Sequence, residues 1–156
     1  MATYSQYQPQ KFDNFNTPVQ VWKDIEKYIP KDKTIWCPFY NDGKHKLIDL
    51  KYNVIHKNED FFTYQPDNYD LVVDNPPFSL KKQILERLLI LDKPFILIMP
   101  VSTICYKYFK QYKDKIQIII PPSRYNWKPE KYSSATFDCL FYCYKMNLEK
   151  DIIFIS

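Results

Sequence analysis

Glycine is almost missing from this sequence: Gly43 is the one example in 156 residues. That excludes a loop built on several glycines and marks residue 43 as a position needing positive φ or close approach of its backbone. No apolar run is long enough to span a membrane, so a membrane partner is not expected. The four cysteines (Cys37, Cys105, Cys139, Cys143) do not pair by spacing, and the N terminus reads as no secretory leader. Reduced thiols and a cytoplasmic location are expected, rather than a disulfide framework. Cys139 and Cys143 fall on one face of a strand, but nothing completes a zinc set, so no metal is expected. Charge of either sign is not in large excess; the net +4 is a mild bias toward polyanions. Repeats and low-complexity segments are absent. What remains is a length suited to one domain, with 14 Tyr and 11 Phe.

The most informative stretch is Tyr69-Asp70-Leu71-Val72-Val73-Asp74-Asn75-Pro76-Pro77-Phe78-Ser79. Leu71–Val73 is apolar without alternation, as in a strand covered on both faces of a parallel sheet. Pro76 and Pro77 lack N–H groups, so the ladder stops there. Asn75 and Phe78 are thereby held at the carboxyl end of a central strand, the edge where open α/β sheets bind ligands.

In chain order, residues 1–15 are polar with interleaved aromatics and read as an irregular arm. Thr17-Pro18 opens a helix, with Thr17 as N-cap, Pro18 at the first helical position and Trp22, Ile25, Tyr28 and Ile29 on one face. Thr34–Phe39 reads as the first strand, His45–Tyr52 as a short helix and Asn53–His56 as the second strand. Ser79 is placed to cap a helix carrying Leu80, Ile84, Leu88 and Leu91 on one stripe. Phe95–Pro100 is a further buried strand. Ser102 then caps a helix with Ile104, Cys105, Tyr108 and Tyr112 on one side. Lys115–Ile120 is another strand, and residues 121–134 form a loop of polar and aromatic side chains. Thr136–Tyr144 is expected to pair antiparallel with the strand before it, and Ile152–Ile155 to close the sheet as an edge. The expected fold class is α/β: a mostly parallel Rossmann-like sheet with helices on both faces and a C-terminal antiparallel hairpin.

Asn-Pro-Pro-Phe at 75–78 resembles the catalytic motif of S-adenosylmethionine-dependent amino-methyltransferases, above all those acting on the N6 of adenine in DNA. Thr17-Pro18 resembles that family's cofactor-lining Thr-Pro. Pro38-Phe39 with Gly43 resembles its methionine-end loop, and Asp60-Phe61-Phe62 its adenine-binding Asp-Phe-Phe. The four occur in the order found in members whose cofactor motifs precede the catalytic one. The resemblance implies that Asn75 Oδ1 and the Pro76 carbonyl accept the two protons of an exocyclic amine. Phe78 offers a stacking face to an extruded base, worth about 1–3 kcal/mol.

On the same resemblance, Phe15, Thr17, Pro18, Pro38, Phe39, Asp42, Gly43, His56, Asp60, Phe61 and Asp74 bound S-adenosylmethionine. His56 stands where many methyltransferases carry an acid for the ribose hydroxyls, and Asn41 stands where a second glycine is common. Lys81, Arg124 and Trp127 are placed to touch a nucleic-acid substrate. A compact phage- or virus-type enzyme fits the abundance of Lys, Ile, Asn and Tyr. Its partner would be DNA, with RNA as the alternative, and residues 100–135 are the one region left to read a target sequence. A homodimer or a helper subunit would answer that shortage. Guanine-N2 methyltransferases of ribosomal RNA and enzymes modifying glutamine amides share the motif's chemistry. The rival from another class is an inactive, methyltransferase-shaped binding subunit.

Overall fold

The computed structural model describes residues 17–40, 43–127 and 136–156. The arm at 1–15, with Phe15, and the loop residues Asn41 and Asp42 lie outside the described residues. The elements in chain order are α1 (Val19–Asp24), β1 (Thr34–Trp36), α2 (Lys46–Asp49), β2 (Asn53–Ile55), β3 (Leu71–Asp74), α3 (Lys81–Leu91) and β4 (Phe95–Pro100). They continue with β5 (Ile116–Ile120), β6 (Tyr125–Asn126), β7 (Thr136–Phe137), β8 (Cys139–Tyr144) and β9 (Ile152–Phe154).

Seven strands form one sheet in the order β2-β1-β3-β4-β8-β5-β9. All neighbours run parallel except β8, which is antiparallel to both β4 and β5. This is an α/β architecture with a mostly parallel sheet flanked by helices, compatible with a Rossmann-like methyltransferase fold. The expected antiparallel pairing of the 136–144 segment with the preceding strand is present, but β8 also inserts between β4 and β5. Its first two residues split off as β7, which pairs with β6 in a separate ribbon. The edge strand β9 pairs with β5 in parallel, so it forms no hairpin with β8.

Alternation along each strand sorts the core into two layers. Leu71, Val73, Ile96, Ile98, Phe141 and Cys143 face one layer with Val21 and Trp22 of α1 and with Ile25, which follows it. Val72, Phe95, Leu97, Met99 and Tyr142 face the other, with Ile84, Leu85 and Leu88 of α3. The non-alternating run at 71–73 is apolar because both faces of β3 are covered.

Three local expectations fail. Pro18, not Thr17, occupies the N-cap of α1, and no side chain caps that helix. Ser79 lies inside a 3₁₀ turn (Phe78–Leu80) that leads into α3, again without a side-chain cap. The segment after Pro100 is no α-helix but two 3₁₀ turns, Val101–Cys105 and Lys107–Tyr112, broken at the extended Tyr106. Its buried residues are Thr103, Phe109 and Tyr112, while Ile104 and Cys105 are exposed. Phe109 and Tyr112, three apart, follow the eclipsed spacing of a 3₁₀ turn. Tyr112 Oη donates to Leu85 O at 2.5 Å and ties the second turn to α3. Among the described residues no helix is long and apolar enough to cross a membrane.

Candidate functional site

From β1 the chain crosses to β2 on one side, while β3 on the other side of β1 leads on to β4. The crevice at the carboxyl ends of β1 and β3 is therefore the topological switch point, where open α/β sheets take ligands. The segment 37–40 leaves β1 there, and Asn75–Phe78 leaves β3.

Asp74 ends β3 and is 3% exposed. Its Oδ2 accepts from Phe39 N at 2.9 Å, and its Oδ1 accepts from Asn75 N at 2.8 Å. His45 Nε2 lies 3.0 Å from the same Oδ1. His45 Nδ1 accepts from Leu47 N at 3.2 Å, so the ring proton sits on Nε2 and is donated to Asp74. One carboxylate thus binds the β1 loop, the start of the motif and the start of α2 together. With three donors in place, Asp74 serves to fix the crevice walls.

Asn75 is half-buried. Its Nδ2 donates to Thr17 Oγ1 at 3.0 Å, while its Oδ1 is buried with no hydrogen-bond partner among the described residues. A buried amide oxygen without a donor costs about 1–3 kcal/mol, so it marks a place prepared for one. Pro76 and Pro77 are buried and contribute no N–H, so this segment presents acceptors only. Phe78 is half-buried beside them, with Lys81 Nζ 5.8 Å from its ring centre and 5.2 Å from that of Tyr106.

A second unfilled acceptor lies at the end of β2. His56 Nδ1 is 2.7 Å from the Cys37 carbonyl and must donate to it, which leaves Nε2 a bare acceptor. That Nε2 is buried and has no partner among the described residues. The ring lies beside Tyr40 (5.2 Å) and His45 (5.4 Å). Gly43 has φ +70°, and a Cβ there would come within 2.9 Å of Tyr40 Oη, so both reasons for a glycine apply.

Thr17, Pro38, Phe39, Gly43, His56, Asp74 and Asn75 thus gather around the switch point. Pro18 and Pro38 are structural walls: the Pro18 carbonyl accepts from Val21 N, and Pro38 is buried. Asp60 Oδ1 accepts from Phe62 N at 2.9 Å, and Phe61 is packed in the core against Trp36 and Phe39. Arg124 pairs with Asp138 at 2.5 Å on the surface. Trp127 is 3% exposed in the α1-side core, so as packed it turns away from solvent.

His45 is the residue that sequence reasoning missed; its signal would have been a histidine two residues past the lone glycine. The ligand atoms of Cys37, His45 and Asp74 all lie within 4.8 Å of one another. Hydrogen bonds already engage them: Cys37 Sγ donates to Val73 O at 3.1 Å, and burial, then Asp74, push its thiol pKa well up. The trio is therefore best read as a hydrogen-bond network. A recess of about 750 Å³ lined by Asp92, Lys115, Gln117, Tyr144, Lys145 and Asp151 lies at the opposite, amino-terminal edge of β5. Within it Lys145 pairs with Asp92 at 2.8 Å, and Gln117 Nε2 donates to Asp151 Oδ1 at 3.3 Å.

No family model matches the sequence. Over 38 residues, 24% of this chain, it is 50% identical to the type II methyltransferase M.EcoRI of Escherichia coli. That stretch spans 12% of the relative's length. The likeness is local, and the sheet topology is compatible with a Rossmann-like methyltransferase fold.

Proposed function

We propose that the chain transfers a methyl group from S-adenosylmethionine to the N6 amino group of adenine in DNA. The observation that carries this reading is the buried, unpartnered Oδ1 of Asn75 at the switch point, beside two prolines that add carbonyls and no donors. An exocyclic amine on a base is a weak nucleophile because its lone pair is delocalised into the ring. Acceptors for both protons, Asn75 Oδ1 and the Pro76 carbonyl, draw the nitrogen toward tetrahedral geometry and localise the lone pair. These contacts strengthen as positive charge builds on nitrogen, so they favour the transition state over the ground state. Thr17 keeps the amide oxygen turned toward the substrate. Phe78 supplies an apolar face for an extruded base.

The residues present fit the cofactor. Its ribose hydroxyls are donors, and His56 Nε2 is a buried acceptor lacking one. A neutral imidazole would then do what a carboxylate does in many relatives of this fold. When bound, S-adenosylmethionine supplies an activated methyl on a sulfonium centre. The walls that would hold it are the 37–40 segment, Gly43 and His56, braced by Asp74. No general base is needed if the amine proton leaves to water after transfer.

The test is incubation with methyl-labelled S-adenosylmethionine and separate DNA, RNA and protein pools, followed by digestion and separation of the products. Label in N6-methyladenine from DNA is expected. Label confined to RNA bases or to glutamine amides would move the substrate, and no binding of S-adenosylmethionine by calorimetry would overturn the reading.

A further inference from the structure

The two edges of the seven-stranded sheet are finished differently. Both edge strands are three residues long, but β2 begins at the exposed Asn53 and is bracketed by Lys51 and Lys57, charges of the kind that blunt an edge against pairing. At the other edge β9 follows Lys150 and Asp151 on its amino side but carries no charge or proline from Ile152 to Ser156, and its register with β5 is continuous. Its own register shows what it leaves open. Ile118 N donates to Asp151 O at 2.8 Å and Ile155 N to Ile120 O at 3.2 Å, with Ile119 opposite Ile153. Residues 151, 153 and 155 therefore point their backbone groups toward β5, and Ile152 and Phe154 turn their N–H and C=O groups outward. On the sheet's faces, Ile153 is buried while Ile152 is 57% and Phe154 77% exposed. Those two continue the apolar row of Ile118 and Ile120 past the cover of α3.

We infer that β9 pairs antiparallel with β9 of a second copy of this chain about a two-fold axis at Ile153. In that register Ile152 faces Phe154 of the second copy, and Phe154 its Ile152. Each facing pair exchanges two backbone hydrogen bonds, giving four in all. The facing side chains make two aromatic–β-branched pairs on one face, a favoured cross-strand combination. Asp151 lies opposite residue 155 rather than its own copy, so like charges do not meet. The strand is thus complementary to itself, as a closed two-fold interface requires. The seam is one short strand wide, well under the roughly 1,200–2,000 Å² of a standard interface, so association is weak.

The experiment is sedimentation of the full chain from about 1 to about 200 µM, a range that brackets a micromolar Kd, with hydrogen exchange at both ends of the range. A concentration-dependent dimer is expected, in which the Ile152 and Phe154 amides gain protection while Ile153 and Ile155 are protected throughout. Phe154→Lys, at an exposed position, should shift the midpoint at least tenfold upward and leave thermal unfolding unchanged. Two results would each overturn the inference: a monomer at every concentration, or a dimer indifferent to Phe154→Lys whose Ile152 and Phe154 amides still exchange freely.

Discussion

Thr17 Oγ1 sits 3.0 Å from Asn75 Nδ2, and that contact decides which end of the amide meets the substrate. Thr17→Val keeps the shape and removes the acceptor, freeing the amide to rotate about χ2. A loss near 1.4 kcal/mol, the scale of one hydrogen bond, corresponds to a drop of about tenfold in kcat. Steady-state kinetics should show it with little change in Tm; an unaltered kcat would remove Thr17 from the account. The thiols make a second residue-scale prediction. Burial pushes Cys139 and Cys143 up to about 12 and Cys37 well above its usual range, whereas Cys105 is exposed. A maleimide near neutral pH should label one thiol per folded chain, located by peptide mapping to Cys105, and four in denaturant. Asn75 was legible in the sequence because prolines punctuate a strand end. Thr17 was read as a helix cap and as a cofactor-lining residue, but its hydroxyl is spent across 58 residues on Asn75, a partner no local pattern announces.

A chain with one glycine must end its helices on other residues. After α2, Tyr52 N bonds Leu47 O and Lys51 N bonds Ile48 O, the paired closure of a Schellman turn, with Lys51 at φ 68° in the left-handed position glycine usually fills. Asp92, Asp114, Lys145 and Asn147 adopt positive φ as well. Lys51→Gly relieves a left-handed cost of about 1–2 kcal/mol and adds about 0.5–1 kcal/mol of backbone entropy loss on folding, so a net gain of about 0.5–1 kcal/mol is expected in chemical denaturation. A destabilised variant would contradict this. The strands were readable from apolar runs bounded by proline, since covering both faces of β3 and β4 leaves one polar residue in them, the terminal Asp74. The segment 101–112 was misread because its aromatics and β-branched residues mimic a helical stripe. The chain breaks at Tyr106 so that Thr103, Phe109 and Tyr112 can each reach the core. The position of β8 was illegible for a different reason, since insertion between two parallel strands is settled by tertiary fit.

At the scale of the whole molecule, the sheet places Asn75 Oδ1 and His56 Nε2 at its carboxyl edge and the Asp92–Lys145 pair at the other. At that second edge, burial and a bond to Asp92 push the Tyr144 phenol up to about 12. Burial raises Tyr112, Tyr125 and Tyr142 as well. The folded state therefore holds these protons more tightly than the unfolded chain. The linked stability is intact below the ordinary phenol value of 10 and is lost as pH climbs from there through about 12. Circular dichroism should show alkaline unfolding in that window, coincident with ionisation of Tyr112, Tyr125, Tyr142 and Tyr144; these four ionising near pH 10 in folded protein would refute it. The functional edge rests on Asn75 Oδ1, and its most direct test is methyl transfer to adenine in a DNA duplex by Asn75→Ala beside the unaltered chain. The account predicts a fall in kcat of about 10²–10³-fold, with S-adenosylmethionine affinity and Tm nearly unchanged. Equal turnover by the two proteins would contradict it.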